Sequence, residues 1–404
     1  MSSAQFREAV DRETVTALAE QFQEPEWLLE TRLEALEAIE ELDYPSVIQT
    51  PGRKWTNLDD LDFESLVDPL SQPAETGRAG GDEVAVRSIA ETLQEDPELL
   101  EEHYGTVIDP LDNRLVALAT ALRSGGTVVH VPADVDAGTV QIETEMNGRS
   151  RLEYTLVVAE ANSSVTVVDR RSSGDPIDAS RYYGGTVEVV AGENATVNYG
   201  SLQQFDDDTY AYTKSEGVAD TYAAVNWLEG NLGSRLRKSE VGTRLEGDGS
   251  ETKTVGAFFG RYEQHFDLDS RVWHRGEHTT ADLVTRGVVD DRARSVYEGT
   301  QDVGREAWDT SSYQRENTLM LSDDSEADAS PKLIINNHDT EASHAASVGQ
   351  VDQRDLFYMT SRGVPEQRAR NMLVEGFFVP VLEEMDVEGL REDFEAGVAA
   401  RLTE

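Results

Sequence analysis

The sequence predicts a mainly β chain with helical ends, on three observations. From about Thr127 to Ile335, short Val-rich runs alternate with small polar turns. No helical periodicity interrupts these runs over roughly 200 residues. On either side of them, leucines recur at spacings of three and four, which marks an amphipathic helix face. Strands joined by short turns without intervening helices fit a sandwich or a β-solenoid. No strict repeat period is visible, so periodicity leaves both architectures open.

Residues 3–42 read as largely helical. Glu24-Pro25-Glu26 opens a helix with acid at its positive end, and Leu29, Leu33, Leu36, Ile39 and Leu42 mark its apolar face. Pro45 and Pro51-Gly52 break it, and Trp55-Thr56-Asn57-Leu58 begins a less regular segment. Further helices are expected over 84–94, ahead of Pro97, and over 114–124, stopped by Gly125-Gly126. Strand candidates follow at 127–131, 154–158, 165–168, 186–190 and 195–199, then at Leu283-Val284, Val288-Val289 and 333–335. Turns fall at Gly184-Gly185, Gly192-Glu193-Asn194 and Gly247-Asp248-Gly249. The polar stretches 206–221 and 237–251 read as exposed hairpin arms or loops.

Helix returns at the end. Asp352 can cap 353–362, Gly363 takes the C′ position, and Pro365 starts the next helix. That helix carries Ala369, Met372, Leu373, Gly376 and Phe377 on one side until Pro380 kinks or ends it. A final helix over 387–402 places Leu390, Phe394, Val398 and Leu402 on one face. The expected division is an N-terminal helical region (1–125), a β core (126–345) and a C-terminal helical domain (346–404).

Composition narrows the function. The 404 residues include 79 Asp+Glu against 35 Lys+Arg, a formal net charge of −44, and no cysteine. Disulfides, thiolate-held zinc and clusters ligated by this chain's own cysteines are excluded. The charge argues against a nucleic-acid partner, because nothing offsets phosphate repulsion. Only five basic residues are lysines (Lys54, Lys214, Lys238, Lys253, Lys332). A folded, acidic, Lys-poor chain is expected of a halophilic, salt-rich cytoplasm, where screening relieves self-repulsion. The charged start lacks the apolar core of a signal peptide, and no apolar run approaches the roughly 18–20 residues that span a bilayer. The expectation is a cytoplasmic protein with no membrane partner.

Motifs for common chemistries are missing. There is no Gly-Lys dipeptide, hence no P-loop, and no G-x-G-x-x-G or G-x-S-x-G. Pairs such as Asp206-Asp207, Asp290-Asp291 and Asp323-Asp324 suggest a glycosidase, yet about 15 such pairs arise by chance at this composition. His274 and His278 lie four apart; on one strand they would stand about 13 Å from each other, too far to share an ion. They read as polar strand positions. His338 and His344 fall in a small-residue stretch taken as a turn, where a histidine serves as a hydrogen-bond partner or as an imidazole ligand at a surface. From chemistry alone the hydrogen-bonding role is preferred.

Several long motifs in order resemble one family. Glu341-Ala-Ser-His-Ala-Ala-Ser-Val-Gly-Gln-Val-Asp352, Leu356-Phe-Tyr-Met-Thr-Ser-Arg-Gly363 and Leu373-Val-Glu-Gly-Phe377 resemble the C-terminal signature of the SufB/SufD family. That family is the iron–sulfur cluster assembly scaffold of the SUF system. Gly287-Val-Val-Asp-Asp-Arg-Ala-Arg-Ser-Val-Tyr-Glu-Gly299, Leu319-Met-Leu-Ser-Asp-Asp324 and Ala329-Ser-Pro-Lys-Leu333 are similar to it too, as is the helix from Glu24 to Glu37. The similarity is dense over about 255–380. The N-terminal helix leans toward SufB, whereas Ser343-His-Ala-Ala-Ser-Val-Gly349 looks like SufD. The cysteine count decides for the SufD branch, because holding sulfur for a new cluster is thiolate chemistry.

The resemblance implies a right-handed parallel β-helix core with helical ends. It implies a non-catalytic scaffold that pairs with SufB through the β-helix and recruits the SufC ATPase through C-terminal helices, here Leu356, Phe357, Tyr358, Arg362 and Gly363. It also implies that His344 is a metal or cluster ligand at the SufB interface, with no catalytic residues. No cofactor is expected to be held stably by this chain alone; iron or a cluster would be bound transiently with SufB. Ala342 stands where some relatives carry cysteine, which removes one ligand. Two other readings compete: a SufB-like scaffold homodimer, and a β-helix carbohydrate-active enzyme.

Overall fold

A computed structural model describes residues 10–58, 61, 66–68, 76–81, 83–385 and 387–403. The part of the expected first helical stretch before Val10 lies outside the described residues. Helix α1 (Arg12–Gln21) is capped by the Asp11 carboxylate, and α2 (Glu26–Ala38) starts after Pro25. A small hairpin, β1 (Gln49–Thr50) and β2 (Arg53–Lys54), leads toward strands β3 (Thr76–Ala79) and β4 (Ala85–Ser88). Three helices follow: α3 (Ile89–Glu95), α4 (Pro97–His103) and α5 (Arg114–Ala121). The expected helix over 84–94 is therefore half strand. Ser88 ends β4 and caps α3, its hydroxyl accepting from the Glu91 N–H while Glu91 accepts from the Ser88 N–H.

The rest is a parallel β-solenoid of eight turns, each turn giving one strand to each of two sheets. One sheet holds β5 (Gly125–Val131), β7 (Ser150–Ala159), β9 (Arg181–Ala191), β11 (Thr209–Ala219), β13 (Leu236–Leu245), β15 (His265–His274), β17 (Arg294–Val303) and β19 (Glu326–Ile335). The other holds β6 (Asp136–Met146), β8 (Ser164–Ser173), β10 (Thr196–Gln204), β12 (Ala224–Asn231), β14 (Glu251–Gly260), β16 (Thr280–Val289), β18 (Thr310–Met320) and β20 (Thr340–Gln350). Equivalent residues of successive turns stack in register about 4.8 Å apart. Val129, Val157 and Val189 stack in this way inside the first sheet.

A repeat exists after all, carried by backbone conformation. The corner after each strand of the first sheet up to β17 places one residue at positive φ: Asp134, Asn162, Asn194, Tyr222, Gly249, His278 and Asp309. These recur every 27–32 residues. Each of the first six donates its N–H to the next corner, as Asn162 does to the Glu193 carbonyl at 2.9 Å. His278 thus sits in a turn and His274 ends β15, so the two are not positions of one strand.

The stretches 206–221 and 237–251, expected as exposed arms, form the buried strands β11 and β13 and the start of β14. Their polar side chains find partners one turn away. Lys238 pairs with Asp267 at 2.9 Å, and the Tyr212 hydroxyl donates to Glu240 at 2.7 Å. Stacking in register lets charged residues be buried when the next turn brings the opposite charge.

Both ends carry helices, in different places. On the N-terminal side, β3 and β4 add antiparallel strands to the two sheets, and α5 packs on β7 and β9. Buried Arg32 of α2 donates to the carbonyls of Ala121 and Arg123, both at 2.9 Å, tying α2 to the end of α5. The C-terminal helices α6 (Gln353–Ser361), α7 (Glu366–Glu384) and α8 (Glu388–Arg401) lie along the flank. Phe378, Val381, Leu390 and Phe394 pack on Val255, Phe259, Val284 and Val288 of the second sheet. Pro380 lies inside α7, which continues past it to Glu384.

Candidate functional site

The last turn of the solenoid is left open. β19 and β20 are the edge strands of the two sheets, each hydrogen-bonded to a strand on one side. Most of β20 is exposed, and Ile334, Ile335 and Val348 are 44%, 42% and 41% exposed. An edge of unpaired N–H and C=O groups beside apolar side chains is a template for pairing with another chain. Soluble solenoids otherwise close such an end with a polar cap.

His344 stands on this edge, in β20 rather than in a turn. Its column runs Val140, Val167, Tyr199, Trp227, Thr254, Leu283, Gln314, His344, one residue per turn on the inward face. The imidazole is exposed because no ninth turn covers it. Directly beneath, Gln314 is 1% exposed; its Nε2 donates to the Gly299 carbonyl at 3.1 Å, and its Oε1 has no hydrogen-bond partner.

Glu316 lies one inward position along β18. It is 2% exposed, accepts the Thr318 hydroxyl, and has no hydrogen-bond partner at Oε2. Burial pushes its carboxyl up to about 7, against the opposing pull of the Thr318 hydroxyl and the Ser347 N–H. Its column also contains Asp169 and Glu229 in earlier turns. Those two are neutralised inside the solenoid: Arg171 donates to Asp169, with its Nε at 3.0 Å, and Arg237 lies 3.5 Å from Glu229.

Sequence reasoning missed Gln314 and Glu316. Gln314 is the register partner of His344 and Glu316 that of Ala346, across a 30-residue offset that only the solenoid sets. His274, by contrast, is a buried structural residue. Its Nδ1 meets Thr279 at 2.8 Å and its Nε2 meets Gln301 at 3.2 Å, while burial lowers its pKa to about 4 and keeps it neutral. His278 is exposed and paired with Asp309 at 2.8 Å; His338 is exposed in the turn before β20.

The residues expected to face an ATPase gather on α6 and its C-terminus. Phe357 and Tyr358 are 73% and 57% exposed, and the Arg362 guanidinium lies over the Tyr358 ring at 4.4 Å. Leu356 turns the other way and is buried, anchoring the helix, while Gly363 ends it at φ +89°. Elsewhere, a cleft of about 350 Å³ is lined by Lys214, Glu216, Arg244 and Trp273. Its charges offset one another, Lys214 bridging Asp112 and Glu216 at 2.8 and 3.2 Å. Among the described residues, no cluster of three or more His, Cys, Asp and Glu is placed to hold a metal ion, and no helix is long and apolar enough to cross a membrane.

Residues 141–377 match the family model described as SUF system FeS cluster assembly, SufBD core domain, and residues 67–142 match the SufBD protein N-terminal region. The iron–sulfur cluster assembly protein SufD of Bacillus subtilis is 30% identical, over 95% of this chain and 96% of that one. An iron–sulfur cluster assembly SufBD family protein of Staphylococcus epidermidis is 26% identical over 93% of this chain and 89% of its own. The iron–sulfur cluster assembly protein SufB of Bacillus subtilis is 25% identical over 93% of this chain and 90% of its own.

Proposed function

Because the chain belongs to the SufB/SufD family of iron–sulfur cluster assembly proteins and is SufD-like, we propose that it acts as a non-catalytic scaffold subunit that docks a SufB-type chain end to end. The open last turn carries this reading: β19 and β20 offer paired edges, apolar side chains and an exposed histidine in one place. A solenoid ending in the same way is the natural partner, since in-register addition of another turn satisfies every unpaired backbone group. With no cysteine of its own, the chain leaves sulfur to that partner and contributes His344 to iron or to a cluster held transiently between them. Lacking a Gly-Lys dipeptide, it leaves ATP hydrolysis to a SufC-type ATPase, received on the Phe357, Tyr358 and Arg362 face of α6.

A pull-down of the tagged chain in molar KCl tests the assembly. A SufB-type protein and an ABC-type ATPase come down together; recovery of neither refutes the reading. His344→Ala leaves fold and complex intact and lowers iron or cluster loading, whereas normal loading reduces His344 to a packing residue.

A further inference from the structure

We propose that Glu316 and the Oε1 atom of Gln314 join His344 as a three-donor half-site for ferrous iron on the inward face of the open end. The inference rests on the reading of that end as the iron-receiving interface, and deepens it by naming two donors that only the register reveals. Three observations point the same way.

The first is charge. In the column that contains Glu316, the earlier carboxylates Asp169 and Glu229 are each matched by an inward-facing arginine. Glu316 has a hydroxyl and an amide beside it and, among the described residues, no Lys or Arg paired with it. A cation beside a buried carboxylate holds it as the anion, as the arginines do for Asp169 and Glu229, and a metal ion would do the same for Glu316. The second is satisfaction. Gln314 Oε1 is a buried acceptor without a donor, and Glu316 Oε2 makes no hydrogen bond although the Ser347 N–H pulls on its carboxyl, in residues 1% and 2% exposed. The third is direction. Gln314 is the register partner of His344, and Glu316 is the next inward residue, beneath Ala346. Imidazole nitrogen with carboxylate and amide oxygens suits a first-row divalent ion such as Fe²⁺. Three donors fill only part of its coordination sphere, so the remaining ligands belong to the docked partner.

The test uses the full chain in complex with its SufB-type partner, in molar KCl under anaerobic conditions, with Fe²⁺ as the probe in equilibrium dialysis. Glu316→Gln keeps the shape and removes the charge; the expected result is weaker Fe²⁺ binding by about 10–100-fold, with co-elution of the complex unchanged. Gln314→Met gives a smaller loss in the same direction, and Glu316→Asp recovers part of the affinity. Wild-type Fe²⁺ affinity in Glu316→Gln overturns the proposal, and so does loss of the partner in that variant, which would assign Glu316 to a basic side chain across the interface. If His344→Ala alone lowers binding, the interface reading survives and this one fails. If the wild-type chain captures no partner, both fall.

Discussion

Glu188 gives a sharp test of how the N-terminal region is fastened to the solenoid. Its side chain leaves β9 and accepts the N–H groups of Gly105 at 3.1 Å and Val107 at 2.9 Å, holding the loop after α4 against the first sheet. The residue is 1% exposed, and burial pushes its carboxyl from 4.5 up to about 7 despite those amides. For an acid raised on folding, the contribution to stability is complete below the unfolded value and is lost as pH rises through the folded one. Linkage between pH 5 and pH 8 then amounts to about 2–3 kcal/mol. Glu188→Gln removes the titration. At pH 5 the variant is less stable by about 1–3 kcal/mol, because an amide NH₂ now faces a backbone N–H. By pH 8 the difference moves in the variant's favour by the linkage amount. Urea unfolding of both proteins in molar KCl at pH 5, 6.5 and 8 reads this directly. Parallel stability curves for variant and wild type would refute the reasoning.

Three further outcomes follow from the packing and the charge. A Cβ added at Gly287 falls 1.8 Å from Phe258 Cζ, so Gly287→Ala lowers stability by about 1–3 kcal/mol in a urea titration; Gly349→Ala, with nothing within 4 Å, changes it little. Glu24 is fully buried between Arg32, at 2.6 Å, and Arg123. Glu24→Gln strands two buried guanidinium groups and costs about 3–5 kcal/mol, measured in the same way. With a net charge of −44, the thermal midpoint rises from low salt to molar KCl; an unchanged midpoint contradicts the halophilic reading.

Local signals were readable and long-range register was not. Asp352 with its carboxylate, Gly363 with its freedom at positive φ and Pro365 with its fixed φ mark the ends of α6 and the start of α7, and the structure places them there. The aliphatic strands around Val157, Val167 and Val189 declare themselves in the same local way. The choice between sandwich and solenoid depends on which strand lies beside which, and neighbours in either sheet are about 30 residues apart in sequence. The corner residues carry that period, but it requires a conformation rather than a residue type, so Asp134, Asn162, Tyr222 and His278 conceal it. Polar strands such as β13 look exposed from sequence because composition reports polarity, while burial depends on the partner one turn away, as Asp267 is for Lys238. His344 was found through family resemblance. Gln314 and Glu316 needed the parity of β18 against β20.

Whether the open turn of the solenoid receives a second chain is read out by backbone hydrogen exchange. Amides of Thr340–Gln350 and Glu326–Ile335 are followed in molar KCl with and without the SufB-type partner. Exchange along these two edge strands is expected to slow at least about tenfold on complex formation, equivalent to about 1.4 kcal/mol of added protection, while the corner at 160–163 is unaffected. Complex formation with unchanged exchange in β19 and β20 would contradict it and move the interface elsewhere on the molecule.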